Sequence, residues 1–344
     1  MLLAELSQPY QFQLKDVPSV PGPGPGQIQV AVKAIGICGS DLHNFTEGGI
    51  GDTPCLYPMV LGHEPAGTVV KTGPGVSGWS AGDRAILEPA LYCYHCEFCM
   101  TGHHNVCSNI RFMSVQEEPG FFREIVNLPE RNLLGLPKHL SYSEGAVVEP
   151  LAVAVHSMQF AAPRPGDTAV VFGAGPIGLL TIAMLKLSGV TRLWSVEPLA
   201  HRRNLALAMG ADAAIDPGAV DPVAEILGDT AMRGVDIAVD CAAHGETTNQ
   251  CLRVARNCGR IVMTGIPSEV QVHLDFHFMR RKELAFYTVR RSNHDSEAAL
   301  NLLASYPQRF APMLTHERPL QDIQKAFELC SSYADGIGKM TLTI

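Results

Sequence analysis

The chain has 344 residues, 46% hydrophobic and 17% charged, with a formal net charge of −8. That length exceeds one ordinary core and predicts two domains. The acidic balance argues against a nucleic-acid partner, and the short basic clusters Arg280, Arg281, Lys282 and Arg290, Arg291 are too brief for a nucleic-acid arm.

At the N-terminus, MLLAELSQPYQF carries an early glutamate and has neither an apolar core nor a cleavage signal, so it does not read as a secretory peptide. The uncharged run Thr168 to Leu185 is interrupted by Gly173, Gly175, Pro176 and Gly178. It predicts a buried strand, a turn and a helix, and no membrane span. With no export signal, ten cysteines imply a reducing compartment in which thiols serve metals. The expected location is the cytoplasm.

The first half is turn-rich and β-dominated, closer to a small barrel than to a layered unit. Gln27 to Ala34 alternates as a half-buried strand after the run Pro21 to Gly26. Glu64 to Lys71 and Arg84 to Glu88 read as further strands, with turns at Gly73–Gly75 and Ala81–Asp83. Cys38, Ser40, Asp41 and His43 sit just past the first strand, and His63 and Glu64 open the second. Each is unremarkable alone, since an isolated histidine or cysteine is usually a packing or surface residue.

Cys93, Cys96, Cys99 and Cys107 then bunch into one short loop. Four soft sulfurs suit tetrahedral zinc and leave no position for water, which describes a structural site. A disulfide pair or free thiols do not explain the bunching in a reducing compartment. An iron–sulfur cluster is the other metal reading, and the last gap fits it poorly.

From Thr168 onward apolar strands (Ala169–Phe172, Arg192–Val196, Val235–Val239, Arg260–Met263) alternate with helical stretches (Ile177–Leu187, His201–Met209, Thr247–Arg256). This predicts a doubly wound parallel sheet. The turn Gly173-Ala-Gly175-Pro176-Ile177-Gly178 follows the first strand and opens a helix, as dinucleotide pyrophosphate binding requires. Glu197 ends the next strand, 19 residues after Gly178, where a carboxylate takes the ribose hydroxyls and favours NAD over NADP. Arg202 and Arg203 follow and could soften that preference. The tail holds two more helices and a last strand, Lys339 to Ile344, and there is no internal repeat or low-complexity tract.

Taken together, CGSDLH (38–43), PMVLGHE (58–64), GDRAILEP (82–89), the cysteine loop, EPLAVAVH (149–156) and GAGPIG (173–178) resemble the zinc-containing medium-chain dehydrogenase/reductase superfamily. Within it, GDRAILEP and EPLAV resemble the polyol, sorbitol-type dehydrogenases, and the likeness covers essentially the whole chain. The resemblance implies an α/β protein: a β-rich GroES-like catalytic domain over 1–150 with a zinc lobe at about 88–110, a Rossmann domain over 151–288, and a return to the catalytic domain over 289–344. It implies a catalytic zinc on Cys38, His63 and Glu64, with Glu149 near enough to exchange with a bound water. Asp41 would orient His63. A proton path would run from Ser40 through the cofactor ribose to His43, and Arg290 and Asn293 would face the substrate.

The implied reaction oxidises a secondary alcohol of a polyol, with hydride passing to NAD. The implied assembly is a homotetramer, with a dimer as second choice, two zinc ions per chain and no membrane partner. Arg291 departs from the pattern, standing where these enzymes usually carry an aromatic residue, as do His294, Asp295, Pro65 and the glycine-rich stretch from Phe45 to Tyr57 with Cys55. Activity on a simple alcohol, an aldehyde or threonine is the neighbouring reading. A non-catalytic relative is disfavoured, because such a protein should have lost metal ligands.

Overall fold

The computed structural model describes residues 1–115 and 118–344. The chain divides into two compact units, one formed by 1–149, 296–307 and 314–344 and the other by 150–295 and 308–313. The return to the first unit thus begins at Ser296 and not at residue 289, and it is interrupted by 308–313. Asp295 explains the later crossing: it accepts from the Gln159 amide at 2.9 Å and the Asn293 N–H at 2.8 Å, and pairs with His156 at 3.2 Å, all within the second unit.

In the first unit a seven-stranded sheet is built around the strand Gln27–Gly36. Its alternating residues Ile28, Val30 and Val32 are buried, as a half-buried strand demands. Glu64–Thr72 pairs along one side of it, and Arg84–Leu87 and Leu133–Gly135 follow outward. On its other side Ile125–Pro129 pairs with the first half, while Lys339–Thr343 pairs with residues 34–36. Leu314–Pro319 lies beside that last strand in parallel. The C-terminal helix Ile323–Ser332 seats Phe327 in an aromatic cluster with Phe12, Phe45 and Phe122. Those rings dominate the core of the unit through buried apolar area.

The second unit holds six parallel strands in the order Ala213–Ile215, Arg192–Val196, Thr168–Phe172, Val235–Asp240, Ala255–Met263, Ala285–Thr288. Numbered along the chain, that order is 3-2-1-4-5-6 of a doubly wound dinucleotide fold, with its switch point beside the first strand. The predicted helix from Thr247 to Arg256 stops at Val254, because Ala255 already pairs with Val235. Among the described residues no helix is long and apolar enough to cross a membrane.

Candidate metal centres and dinucleotide turn

Cys38 ends the strand region and is the N-cap of the helix Gly39–Thr46, in a capping box closed by Asp41. Glu64 begins the neighbouring strand and lies opposite Gly36 across the ladder. Sheet pairing therefore brings together two segments far apart in sequence. The ligand atoms of Cys38, His63 and Glu64 lie within 4.8 Å of one another. His63 and Glu64 are buried; Glu64 Oε2 meets the Lys339 ammonium, and Oε1 makes no hydrogen bond among the described residues.

A buried carboxylate with one oxygen unpartnered, beside a thiol and an imidazole, fits a metal ion better than it fits an apolar core. The imidazole is held between two groups, with Asp41 Oδ1 at 3.5 Å from Nδ1 and Ser40 Oγ at 3.5 Å from Nε2. Asp41 is itself fixed, accepting from the Cys38 and Gly62 N–H groups and the Ser114 hydroxyl. Burial disfavours a charged imidazole at His63, but Asp41 and then Cys38 outweigh it and hold its pKa well above the ordinary value. A metal there would displace that proton.

Glu149 stands in the first turn of the helix Val148–Ala161, outside the three-atom cluster. His43 lies on the helix after Cys38 and meets Glu47 at 2.9 Å, with its side chain 24% exposed.

In the cysteine loop all four sulfurs lie within 4.8 Å of one another and all are free thiols. The sulfurs lie 3.4 Å apart for Cys93–Cys107, 3.8 Å for Cys96–Cys107 and 3.9 Å for Cys93–Cys99. Four sulfurs on a tetrahedral zinc at about 2.3 Å would sit about 3.8 Å apart, so the loop fits that ion. Backbone N–H groups, His95 first, hold the Cys93 thiol at about 5, whereas burial pushes Cys99 up to about 12.

In the second unit the glycine turn follows the strand Thr168–Phe172. Gly173 takes φ +87°, and a Cβ on Gly178 would lie 1.9 Å from the Gly173 carbonyl. Gly175 caps the helix Pro176–Leu187, whose first residues Pro176 and Ile177 are half-buried. Glu197 is 4% exposed and accepts from the N–H of Ala174 at 2.8 Å and of Leu199 at 3.0 Å. The two arginines separate. Arg203 is bound to the Glu197 and Pro198 carbonyls and to Asp216, while an Arg202 Nη lies 3.8 Å from where a Gly175 Cβ would stand. Arg290 and Asn293 follow the edge strand Ala285–Thr288 in this same unit, with Arg291 between them in left-handed backbone at φ 54°.

One residue at the metal centre was not singled out from the sequence. Lys339, 2% exposed, contacts Glu64 Oε2 and donates to the Ile37 carbonyl at 2.9 Å. Its only sequence signal is a place in the last strand, which looks like that of any surface lysine.

Residues 24–138 match the family model described as alcohol dehydrogenase GroES-like domain, and residues 176–305 the model described as zinc-binding dehydrogenase. A sorbitol dehydrogenase of Bacillus subtilis is 31% identical over 95% of this chain and 93% of its own. An L-threonine 3-dehydrogenase of Pyrococcus furiosus is 34% identical over 93% of this chain and 92% of its own. Among solved structures, an Escherichia coli oxidoreductase of unknown specificity superposes with a TM-score of 0.92 at 30% identity, over 100% of this chain and 99% of that one. With both models in order along the chain, these full-length likenesses place it in the zinc-containing medium-chain dehydrogenase/reductase superfamily, in the polyol dehydrogenase branch.

Proposed function

We propose that this protein oxidises a secondary hydroxyl of a polyol or polyol derivative to a ketone, with a catalytic zinc on Cys38, His63 and Glu64 and a structural zinc on Cys93, Cys96, Cys99 and Cys107. The observation that carries the reading is the buried cluster of thiol, imidazole and carboxylate, whose ligand atoms lie within 4.8 Å of one another and whose Glu64 Oε1 has no partner among the described residues. Three protein ligands leave a coordination position open to substrate. When bound, zinc supplies Lewis acidity toward the substrate hydroxyl and the nicotinamide ring takes the hydride.

The chain's own residues handle position and protons. Asp41 fixes the imidazole of His63 and so the direction of its Nε2. Ser40 would hold the substrate proton and His43 would pass it to water through its partial exposure, with a bound cofactor's ribose supplying the hydroxyls between them. Glu149 stands ready in its helical turn to exchange with a bound water. Gly175, Ile177 and Gly178 would present backbone N–H groups to the pyrophosphate, Gly173 would shape the turn and Pro176 would open the helix there, and Glu197 would take the adenosine ribose. NAD is the assigned cofactor, with Arg202 near the turn as the residue that would soften the preference. Arg290 and Asn293 hold substrate hydroxyls.

The threonine dehydrogenase relative supports a second reading, in which an amino alcohol replaces the polyol. Both readings share the metal and the cofactor, and only the substrate separates them. The test is zinc content together with NAD reduction on a panel of polyols, polyol phosphates, sugar acids, simple alcohols and threonine. Polyol turnover dependent on Cys38 is expected. Turnover of threonine alone would move the assignment to the second reading.

We further infer a homotetramer in the cytoplasm. In support of self-association, the edge strand Ala285–Thr288 is paired on one side only among the described residues, its Tyr287 is exposed, and so are Val270, Val272, Leu274 and Phe276 earlier in the same unit.

A further inference from the structure

The strand Lys339–Thr343 opens with a lysine that has almost no contact with water. An ammonium is costly to bury and persists only where anions or carbonyls compensate. Here the Ile37 carbonyl accepts from it at 2.9 Å, and Glu64 Oε2 makes the ion pair.

Backbone shape makes room for the pair. A Cβ on Gly36 would lie 1.9 Å from Glu64 Oε2 and 2.9 Å from Lys339 Cε. Gly36 pairs with Glu64 on one side and Thr341 on the other, so three strands fix the seat. Cation, carboxylate and bare glycine form one unit at the edge of the three-ligand cluster.

We propose that Lys339 is a positioning residue of the metal site, a resident cation that shares the Glu64 carboxylate with the zinc and keeps the ion exchangeable. The inference rests on Cys38, His63 and Glu64 being the catalytic ligands. A thiolate and a carboxylate together neutralise a divalent ion. Lys339 adds one positive charge that the strand cannot move away, and it competes for an anionic oxygen that the ion also uses. Removing that charge should tighten zinc binding, whereas removing an ordinary structural strut should loosen it. At the short range and partial screening of such a site, one unit charge changes affinity by about tenfold or more.

The test uses the full-length, zinc-loaded protein and follows zinc loss to a chelator, with the cysteine-loop zinc as an internal control. Lys339→Met should keep both ions and release the catalytic one about tenfold or more slowly. Gly36→Ala, which keeps the cation but pushes Glu64 aside, should release it faster. With cobalt in the catalytic site, the visible absorption bands should shift in both variants, because each changes how the carboxylate is held. Zinc release from Lys339→Met as fast as or faster than from the wild type would overturn the proposal. So would an unchanged release rate and cobalt spectrum in Gly36→Ala, which decides the matter should Lys339→Met not fold. A Cys38→Ala protein that keeps the full zinc content of the wild type would instead remove the ligand assignment itself.

Discussion

The carboxylate of Glu197 accepts the N–H of Ala174 at 2.8 Å, which ties the end of one parallel strand to the middle of the glycine turn on the next. A residue assigned to the cofactor ribose thus also shapes the turn that meets the pyrophosphate. Glu197→Ala should therefore weaken NAD binding by about 10- to 100-fold, from the loss of charge-assisted hydrogen bonds. It should also narrow the advantage over NADP. Binding titrations with both cofactors check this, and a wild-type protein that prefers NADP would contradict the role given to Glu197.

Gly178 has no space for a side chain. Its Cβ would meet the Gly173 carbonyl at 1.9 Å, and that carbonyl belongs to a backbone held at φ +87°. Gly178→Ala should force helix and strand apart, at about 1–3 kcal/mol of overpacking, and abolish cofactor binding. Thermal melting with and without NAD measures both effects. Cofactor protection equal to wild type would show that the turn does not hold the pyrophosphate.

Two zinc ions per chain are expected, and they should behave differently. Three ligands from Cys38, His63 and Glu64 would leave a zinc one open position, whereas the four sulfurs of the lobe would leave none. Mild chelation should remove one ion and all activity while the fold persists. Cys38→Ala should cost the same ion, and Cys96→Ala should cost the other and loosen the lobe. Elemental analysis of the three proteins decides, and a wild-type value of one or none would end the two-zinc reading.

Asp236 gives a pH dependence of known sign. Burial alone would raise its pKa, but Arg233, Arg256 and Thr168 reverse that and hold the carboxyl well below the usual range. A depressed folded-state pKa stabilises at pH values above the unfolded pKa, near 4 as an approximate reference, and is lost as pH falls toward the folded value. Asp236→Asn should destabilise by about 1–3 kcal/mol at neutral pH, with the deficit shrinking below about pH 4. Urea titrations at pH 7 and pH 3 provide the comparison. An equal deficit at both would mean the carboxylate charge is not the source.

Arg291 bears on the charge of the substrate. It stands in left-handed backbone beside Arg290. A second guanidinium there would favour a carboxylate or phosphate on the substrate through paired N–H donors. Arg291→Tyr should then lower kcat/KM on a sugar acid or polyol phosphate by about tenfold or more, with little change on the neutral polyol. Preference for the neutral polyol in both proteins would leave a plain polyol as the substrate.

Much of this protein is determined by local sequence. The alternation of Gln27 to Ala34, the switch to strand–helix repeats after Thr168, the bunching of Cys93, Cys96, Cys99 and Cys107, and the turn from Gly173 to Gly178 are short-range patterns. Each follows from the period of its own element or from the reach of one loop. Cys38, His63 and Glu64 were legible only as members of a family pattern, because nothing local marks an isolated ligand. Tertiary structure decided the rest. It set the crossing at Asp295, where one carboxylate collects donors from separate segments, and it separated Arg203, spent on carbonyls and Asp216, from Arg202 beside Gly175. Above all it buried Lys339 against Glu64 and against the carbonyl of Ile37, 302 residues away along the chain. Burial of a charge depends on what closes over it from distant strands, and a one-dimensional pattern carries no record of that closure.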